Sequence, residues 1–69
     1  MKQTVSLKIK ELRVENKLSQ AELGEKLSVS QDTISLWENG KSLPSVEDLV
    51  ALCKLFSVSA DYILGLSDY

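Results

Sequence analysis

Only three residues, Ser28-Val29-Ser30, separate two short helical patterns, and this spacing constrains the fold more than any other feature of the chain. The first pattern opens with Ser19-Gln20-Ala21-Glu22, which has the spacing of a helix-capping box. The second opens at Ser30 and ends at Asn39-Gly40, a common left-handed helix exit. A connection this short, with Val29 available to fill the corner, predicts two helices that cross steeply. Gly24, in the middle of the first helix, predicts that the second passes close to it.

The rest of the chain also carries helical patterns, so the sequence predicts an all-α fold. An amphipathic helix precedes residue 19, a fourth helix opens at Pro44-Ser45, and a short fifth runs from Ser59 to near Gly65. No stretch alternates with the period of two that strands require. We therefore expect one domain over residues 1–69, a compact bundle of about five helices. Its expected inward positions are Val5, Ile9, Leu12, Asn16, Leu49, Val50, Leu52, Cys53 and Phe56.

The tripeptide Ser-Val-Ser occurs at residues 28–30 and again at 57–59, each time before a predicted helix. Two matches this short indicate shared turn chemistry and not a repeat architecture.

Size and composition argue against several classes of protein. The chain has 69 residues, one cysteine and no histidine, so we expect no disulfide framework, no zinc site and no cofactor. Without histidine, catalysis would need a carboxylate pair or a lysine–serine arrangement. The sequence sets neither of these in a plausible cleft, so we expect that the protein is not an enzyme. No apolar run approaches the roughly 20 residues that span a bilayer. The N-terminal MKQTVSLKIKEL has no uninterrupted apolar segment, so we expect no signal peptide and a cytoplasmic protein.

Charge is distributed unevenly along the chain, whose formal net charge is −2. Residues 1–41 hold seven Lys or Arg against six Asp or Glu, whereas residues 42–69 hold Lys54 alone against four acidic residues. The first part is therefore the side suited to a polyanion, although an ordinary solvated surface shows such asymmetry about as often.

The second helix of the close pair has two unlike faces. At 100° per residue, Ile34 and Trp37 fall on one side and are expected in the core. The opposite arc carries Gln31, Asp32, Ser35, Leu36 and Asn39. Amide side chains can bond two groups on an adenine edge, a carboxylate can accept from cytosine, and a hydroxyl adapts to several bases. An ordinary surface helix explains the same residues, with Ser30 as its cap and Asp32 complementing the helix dipole.

The segments IKELRVENKLSQAELGEKLSVSQDTISLWENGKSLPSVEDL and LFSVSADYILGL, in register from Ile9 to Leu64, resemble the phage repressor/Cro-type helix-turn-helix family, or XRE family. The resemblance implies a lambda-repressor-like bundle in which residues 19–41 bind double-stranded DNA and the third helix enters the major groove. It implies base contacts from Gln31, Asp32, Ser35 and Leu36. It also implies phosphate contacts from Gln20, Ser30, Asn39 and Lys41.

Three positions depart from the family pattern. Ser28 stands where the family usually has glycine, because the turn favours a positive, left-handed φ, so we expect a turn that is slightly strained or differently shaped. Asp32 and Leu36 occupy positions at which many members carry Arg or Lys. We therefore expect low affinity for random DNA, with Asp32 rejecting more sequences than it attracts.

Arg13 and Glu38 are expected to form a largely buried ion pair that ties the first helix to the end of the third. Glu38 lies on the inward arc, and Arg13 follows Leu12 on the helix that must cover the core. The family often pairs these positions, and a planar guanidinium suits a bidentate carboxylate contact.

The sequence favours a transcriptional regulator, a repressor acting as a homodimer, encoded by a bacterium or a phage. The apolar C-terminal end is the expected dimer contact, through Tyr62, Ile63 and Leu66 with Tyr69, although closure of the bundle explains the same residues. The alternative function is a protein-interaction module, such as an antitoxin-like or regulatory bundle. Net acidity and the lack of Lys or Arg on the outward arc favour this alternative.

Overall fold

A computed structural model of the protein describes residues 2–67, which form five helices joined by short connections. The helices are α1 (Lys2–Glu15), α2 (Gln20–Leu27), α3 (Gln31–Glu38), α4 (Val46–Phe56) and α5 (Ala60–Leu64). The predicted all-α, five-helix fold is confirmed. None of these helices is long and apolar enough to cross a membrane.

The core draws at least one buried side chain from every helix. Its fully or almost fully buried members are Val5, Ile9, Leu12, Leu23, Ile34, Trp37, Leu52 and Ile63. Two expected inward positions are wrong. Val50 is exposed because it lies 160° around α4 from Leu52. Asn16 lies beyond the end of α1, where its side-chain amide donates to the carbonyl of Leu12 at 2.7 Å.

Serine begins each of the four helices that follow α1. The hydroxyls of Ser19, Ser30, Ser45 and Ser59 each accept a hydrogen bond from the backbone N–H three residues later. A cap of this kind typically contributes about 1 kcal/mol. The predicted capping box is complete, since the Glu22 carboxylate also accepts from the N–H of Ser19 at 2.9 Å. Local sequence therefore sets where α2, α3, α4 and α5 start.

The two Ser-Val-Ser segments adopt the same turn. Ser28 and Ser57 both lie in the left-handed region, with φ of 59° and 56°. The N–H groups of Val29 and Val58 each return to a carbonyl five residues earlier, at 2.9 and 3.1 Å. Both valines pack against the core. The expected left-handed conformation of Ser28 is thus present, and this turn fixes the start of α3 relative to α2.

The C-terminal end differs from the expectation at Ile63. This side chain is fully buried, since α5 packs against α1, so it is not available as a dimer contact. Tyr62 is half-buried, and the Nζ atom of Lys8 lies 4.4 Å from its ring centroid. Leu66 is 69% exposed. Tyr69 lies outside the described residues.

Candidate nucleic-acid interface

The outward arc of α3 forms a surface of four side chains, Gln31, Asp32, Ser35 and Leu36, which we call the reading surface. Gln31, Asp32 and Leu36 are exposed, and Ser35 is half-exposed. Ile34 and Trp37, on the opposite side of the helix, are buried in the core. Because its inner face is held by two large buried side chains, α3 presents the reading surface on a rigid support.

The reading surface has free hydrogen-bonding capacity. Neither the Gln31 amide nor the Asp32 carboxylate has a partner among residues 2–67, so both are available to a ligand. The Ser35 hydroxyl accepts a hydrogen bond from Nδ2 of Asn39 at 3.2 Å, which leaves its own O–H free to donate. This bond is not among the contacts expected from the sequence, although the i, i+4 spacing of the two residues on one helix face is a usable signal.

The ends of α3 carry the groups expected at phosphates. Ser30 caps the helix through its hydroxyl, which accepts from the N–H of Thr33 at 3.1 Å. The first N–H groups of a helix have no acceptor within it, so this end can bind an anion. Asn39 caps the other end of α3, and Lys41 follows with an exposed side chain.

The expected ion pair between Arg13 and Glu38 is present. Nε and Nη2 of Arg13 donate to the two carboxylate oxygens of Glu38 at 2.6 and 3.1 Å. The side chains are 14% and 4% exposed. Hydrogen bonding to Glu38 raises the pKa of Arg13 above its ordinary value, so the guanidinium stays charged. Nη1 of Arg13 also donates to the carbonyl of Leu18 at 2.8 Å, in the turn that leads into α2.

Gln20, the first residue of α2, joins this network. Its side-chain Nε2 donates to Oε1 of Glu38 at 3.2 Å. Gln20 and Glu38 are 18 positions apart in the chain, so no local pattern predicts the bond. The structure thus places one expected phosphate contact, Gln20, beside the ion pair, whereas Asn39 and Lys41 lie beyond the end of α3.

No group of three or more metal-ligating side chains occurs within residues 2–67 that could hold an ion. The free cysteine, Cys53, packs against the core, and burial raises the pKa of its thiol. Its position on the core-facing side of α4 makes it a packing residue.

Comparison with known proteins identifies the class of this fold. The family described as "Helix-turn-helix" matches residues 9–63, which is most of the chain. The chain belongs to this family. The resemblance to repressor/Cro-type helix-turn-helix proteins is thereby confirmed.

Two curated relatives are transcriptional regulators by name. The chain is 44% identical over 58 residues to the HTH-type transcriptional activator BcrR of Enterococcus faecalis, covering 84% of this chain and 28% of that protein. It is 39% identical over 62 residues to repressor protein C2 of Salmonella phage P22, covering 90% of this chain and 29% of that protein. This chain therefore spans less than a third of the length of either relative.

A solved structure shares the fold closely. The P22 c2 repressor, crystallised in complex with a synthetic operator, superposes with a TM-score of 0.85 at 36% identity, covering 91% of this chain and 96% of the other. Both relatives carry names of the class that the sequence favours for this chain, a transcriptional regulator.

Proposed function

We propose that this protein is a sequence-specific, double-stranded-DNA-binding transcriptional regulator that inserts α3 into the major groove. The observation that carries the proposal is the reading surface. Gln31, Asp32 and Leu36 are exposed side by side, with free polar groups, on a helix fixed from behind by Ile34 and Trp37. A rigid helix with adaptable hydrogen-bonding side chains on its outer arc is what direct readout requires. The likeness to a repressor crystallised on its operator supports the same docking.

Each member of the reading surface suits a particular base edge. The Gln31 amide can donate to N7 and accept from N6 of adenine, which is a bidentate contact. The Asp32 carboxylate can only accept, so it requires an exocyclic amine such as N4 of cytosine. The Ser35 O–H can donate to a base acceptor, and Leu36 can lie against the methyl group of thymine.

Phosphate contacts would fix the position of this surface without reading sequence. Lys41 supplies a charge, while Ser30 and Gln20 lie where the first N–H groups of α3 and α2 meet solvent. Asn39, beyond the last turn of α3, supplies a side-chain amide. With so few cations near the reading surface, affinity for random DNA would be low.

Selection of bound sequences from a random duplex pool tests DNA binding directly. We expect a defined consensus, and we expect the affinity for random duplex to fall as salt rises, because bound cations release counterions. Recovery of no enriched sequence, with no duplex binding even at low salt, would exclude the proposal.

We further propose that the protein acts as a homodimer on a palindromic operator. The single short helix α3 covers too few base pairs to select a site. A two-fold symmetric dimer presents two copies of α3 and so reads two half-sites, about 34 Å apart. The contact is supplied by half-buried Tyr62 and by Leu66, the most exposed apolar side chain of the described residues at the C-terminal end. Asp61 would lie near its own symmetry mate, so the contact would be modest without DNA.

Sedimentation with and without a palindromic duplex tests the dimer. We expect two protein chains per duplex, and we expect Leu66→Asp to weaken binding of the second chain. Leu66→Asp changes an exposed side chain, whereas a charge at the buried Ile63 would unfold the bundle. One chain per duplex at saturating protein, unaffected by Leu66→Asp, would rule the dimer out.

The lack of Lys and Arg on the reading surface favours one alternative, a protein-interaction module of the antitoxin-like or regulatory kind. Asp32 in particular would repel an approaching phosphate. Such a module would bind no duplex at low salt, so the selection experiment separates the two functions.

Repression is the direction of regulation that we propose, since a bound dimer needs only to overlap a promoter to block it. Names of the relatives include an activator and a repressor. A reporter whose promoter contains the selected operator should lose expression when the protein is produced; a rise in expression would contradict repression.

A further inference from the structure

The carboxylate of Glu38 joins three separate parts of the fold. It accepts two N–H groups of Arg13 from α1 and one from Gln20 at the start of α2, while Glu38 itself ends α3. Its side chain is 4% exposed, so these bonds form in a site from which most water is excluded. The guanidinium reaches further, to the carbonyl of Leu18, the residue before the Ser19 cap.

This arrangement determines which way the Gln20 amide points. A carboxylate has no proton to give, so Gln20 must turn its NH₂ group, and not its carbonyl, toward Glu38. An NH₂ group carries two protons, and Glu38 takes one. The second proton has no acceptor within residues 2–67 and remains available to a ligand. An amide without this restraint could turn its carbonyl toward the phosphate, and that contact is repulsive.

We propose that Arg13 and Glu38 are positioning residues for DNA binding: they hold the Gln20 amide with its second N–H directed to a backbone phosphate at the start of α2. This inference rests on the proposed DNA-binding function and assigns these two residues a role beyond stabilising the fold.

The charge of the pair suits this role. Without Arg13, the negatively charged Glu38 carboxylate would repel the phosphate, because both would bond the same Gln20 NH₂ group. Arg13 neutralises that charge through a bidentate contact, and Oε1 of Glu38, which accepts from Nη2 of Arg13, accepts from Gln20 as well. The network therefore orders the phosphate contact without adding net charge to it.

A thermodynamic cycle separates positioning from stability. The double variant Arg13→Met/Glu38→Met, here the Met/Met variant, removes the ion pair and leaves no buried charge unpaired. Such a replacement often leaves the free energy of unfolding unchanged. We expect Gln20→Ala to lower affinity for the selected operator about tenfold, the usual effect of losing a hydrogen bond to a charged group. We expect the Met/Met variant to lower it by a similar factor, because the Gln20 amide is no longer oriented.

The triple variant decides between the two roles. If Arg13 and Glu38 act through Gln20, adding Gln20→Ala to the Met/Met background costs no further affinity. A second tenfold loss in the triple variant would show that Gln20 works independently, and would overturn the proposal. All variants are compared below their melting temperatures, with Gln3→Ala as a control for loss of an exposed glutamine side chain on α1.

Side-chain amide NMR of the unmodified protein gives a second readout that does not depend on a variant folding. In the free protein, the Nε2 proton of Gln20 that is bonded to Glu38 should resonate away from the matching proton of the exposed Gln3, since a hydrogen bond to a carboxylate shifts the resonance of an amide proton. Adding the operator duplex should shift the other proton while the bonded one stays in place. Breakage of the Gln20–Glu38 bond on DNA binding, or no response of either proton, would refute positioning. If no operator exists, DNA binding is refuted, while the shift of the bonded Gln20 proton in the free protein is still expected.

Discussion

The carbonyl oxygen of Val29 lies 2.7 Å from the position that a Cβ atom on Gly24 would occupy. The backbone of Ser30 and Gln31 comes within 3.4 Å of the same point, so the turn and the first residue of α3 rest directly on α2. The sequence predicted this close approach from a glycine in a helix interior. Gly24 therefore sets how closely α3 can approach α2.

Gly24→Ala should destabilise the protein although alanine is the better helix former. Alanine gains about 1 kcal/mol of helix propensity, but overlap with a backbone oxygen forces α3 to move at a cost of roughly 1–3 kcal/mol. The net loss should appear as a lower midpoint in urea denaturation. Glu25→Ala, next to it on the exposed face of α2, is the control and should leave the midpoint nearly unchanged. Equal midpoints for both variants would mean that the contact is relaxed in solution.

Ser28→Gly should stabilise the protein. Ser28 has φ of 59°, a conformation that costs an L-residue about 1–2 kcal/mol and glycine little. Glycine also increases the conformational entropy of the unfolded chain, which offsets part of this stabilisation. We therefore expect the free energy of unfolding to rise by up to about 1 kcal/mol. Ser57→Gly, at the matching turn with φ of 56°, should behave alike. Destabilisation by both variants in thermal melts would contradict the strain argument.

Features that depend on near neighbours in the chain were predictable. The caps at Ser19 and Ser30 need only a partner three residues away, and the core stripe of α1 follows from helical spacing. The apolar character of Val50 predicts an inward position, whereas its angle on α4 points outward. The sequence does not show that α5 packs on α1, so it cannot distinguish the buried Ile63 from an exposed apolar contact. The Gln20–Glu38 bond likewise depends on how two helices meet, so it required the structure.

Arg13→Met should remove much of the stability of the domain. The variant leaves Glu38 buried with its charge uncompensated, which typically costs about 3–5 kcal/mol. For a domain of this size the melting temperature should fall by at least about 12 °C. Lys10→Met, which removes an exposed cation from the same helix, is the control. An unchanged melting temperature for Arg13→Met would mean that the pair is open to water in solution.

Glu22 should make stability depend on pH in the acidic range. Hydrogen bonds from Ser19, first from its backbone N–H and then from its hydroxyl, lower the pKa of the Glu22 carboxyl. A carboxyl whose pKa is lower in the folded state stabilises the fold above its unfolded pKa, and this contribution disappears as pH falls through the folded pKa. The melting temperature of the unmodified protein should therefore converge on that of Glu22→Gln below about pH 4. A difference that stays constant from neutral to acidic pH would contradict the capping box as its source.

The central claim is that α3 reads bases through Gln31 while groups at its ends fix its position. The most direct measurement compares Gln31→Ala and Lys41→Ala on the selected operator and on each of its single base-pair substitutions, over a range of salt. Gln31→Ala should relax preference at one base pair by about 1–3 kcal/mol. Lys41→Ala should weaken all duplexes alike and reduce the salt slope by about one unit. If Gln31→Ala instead weakens every duplex equally, α3 does not dock with its reading surface on the bases, and the account is wrong.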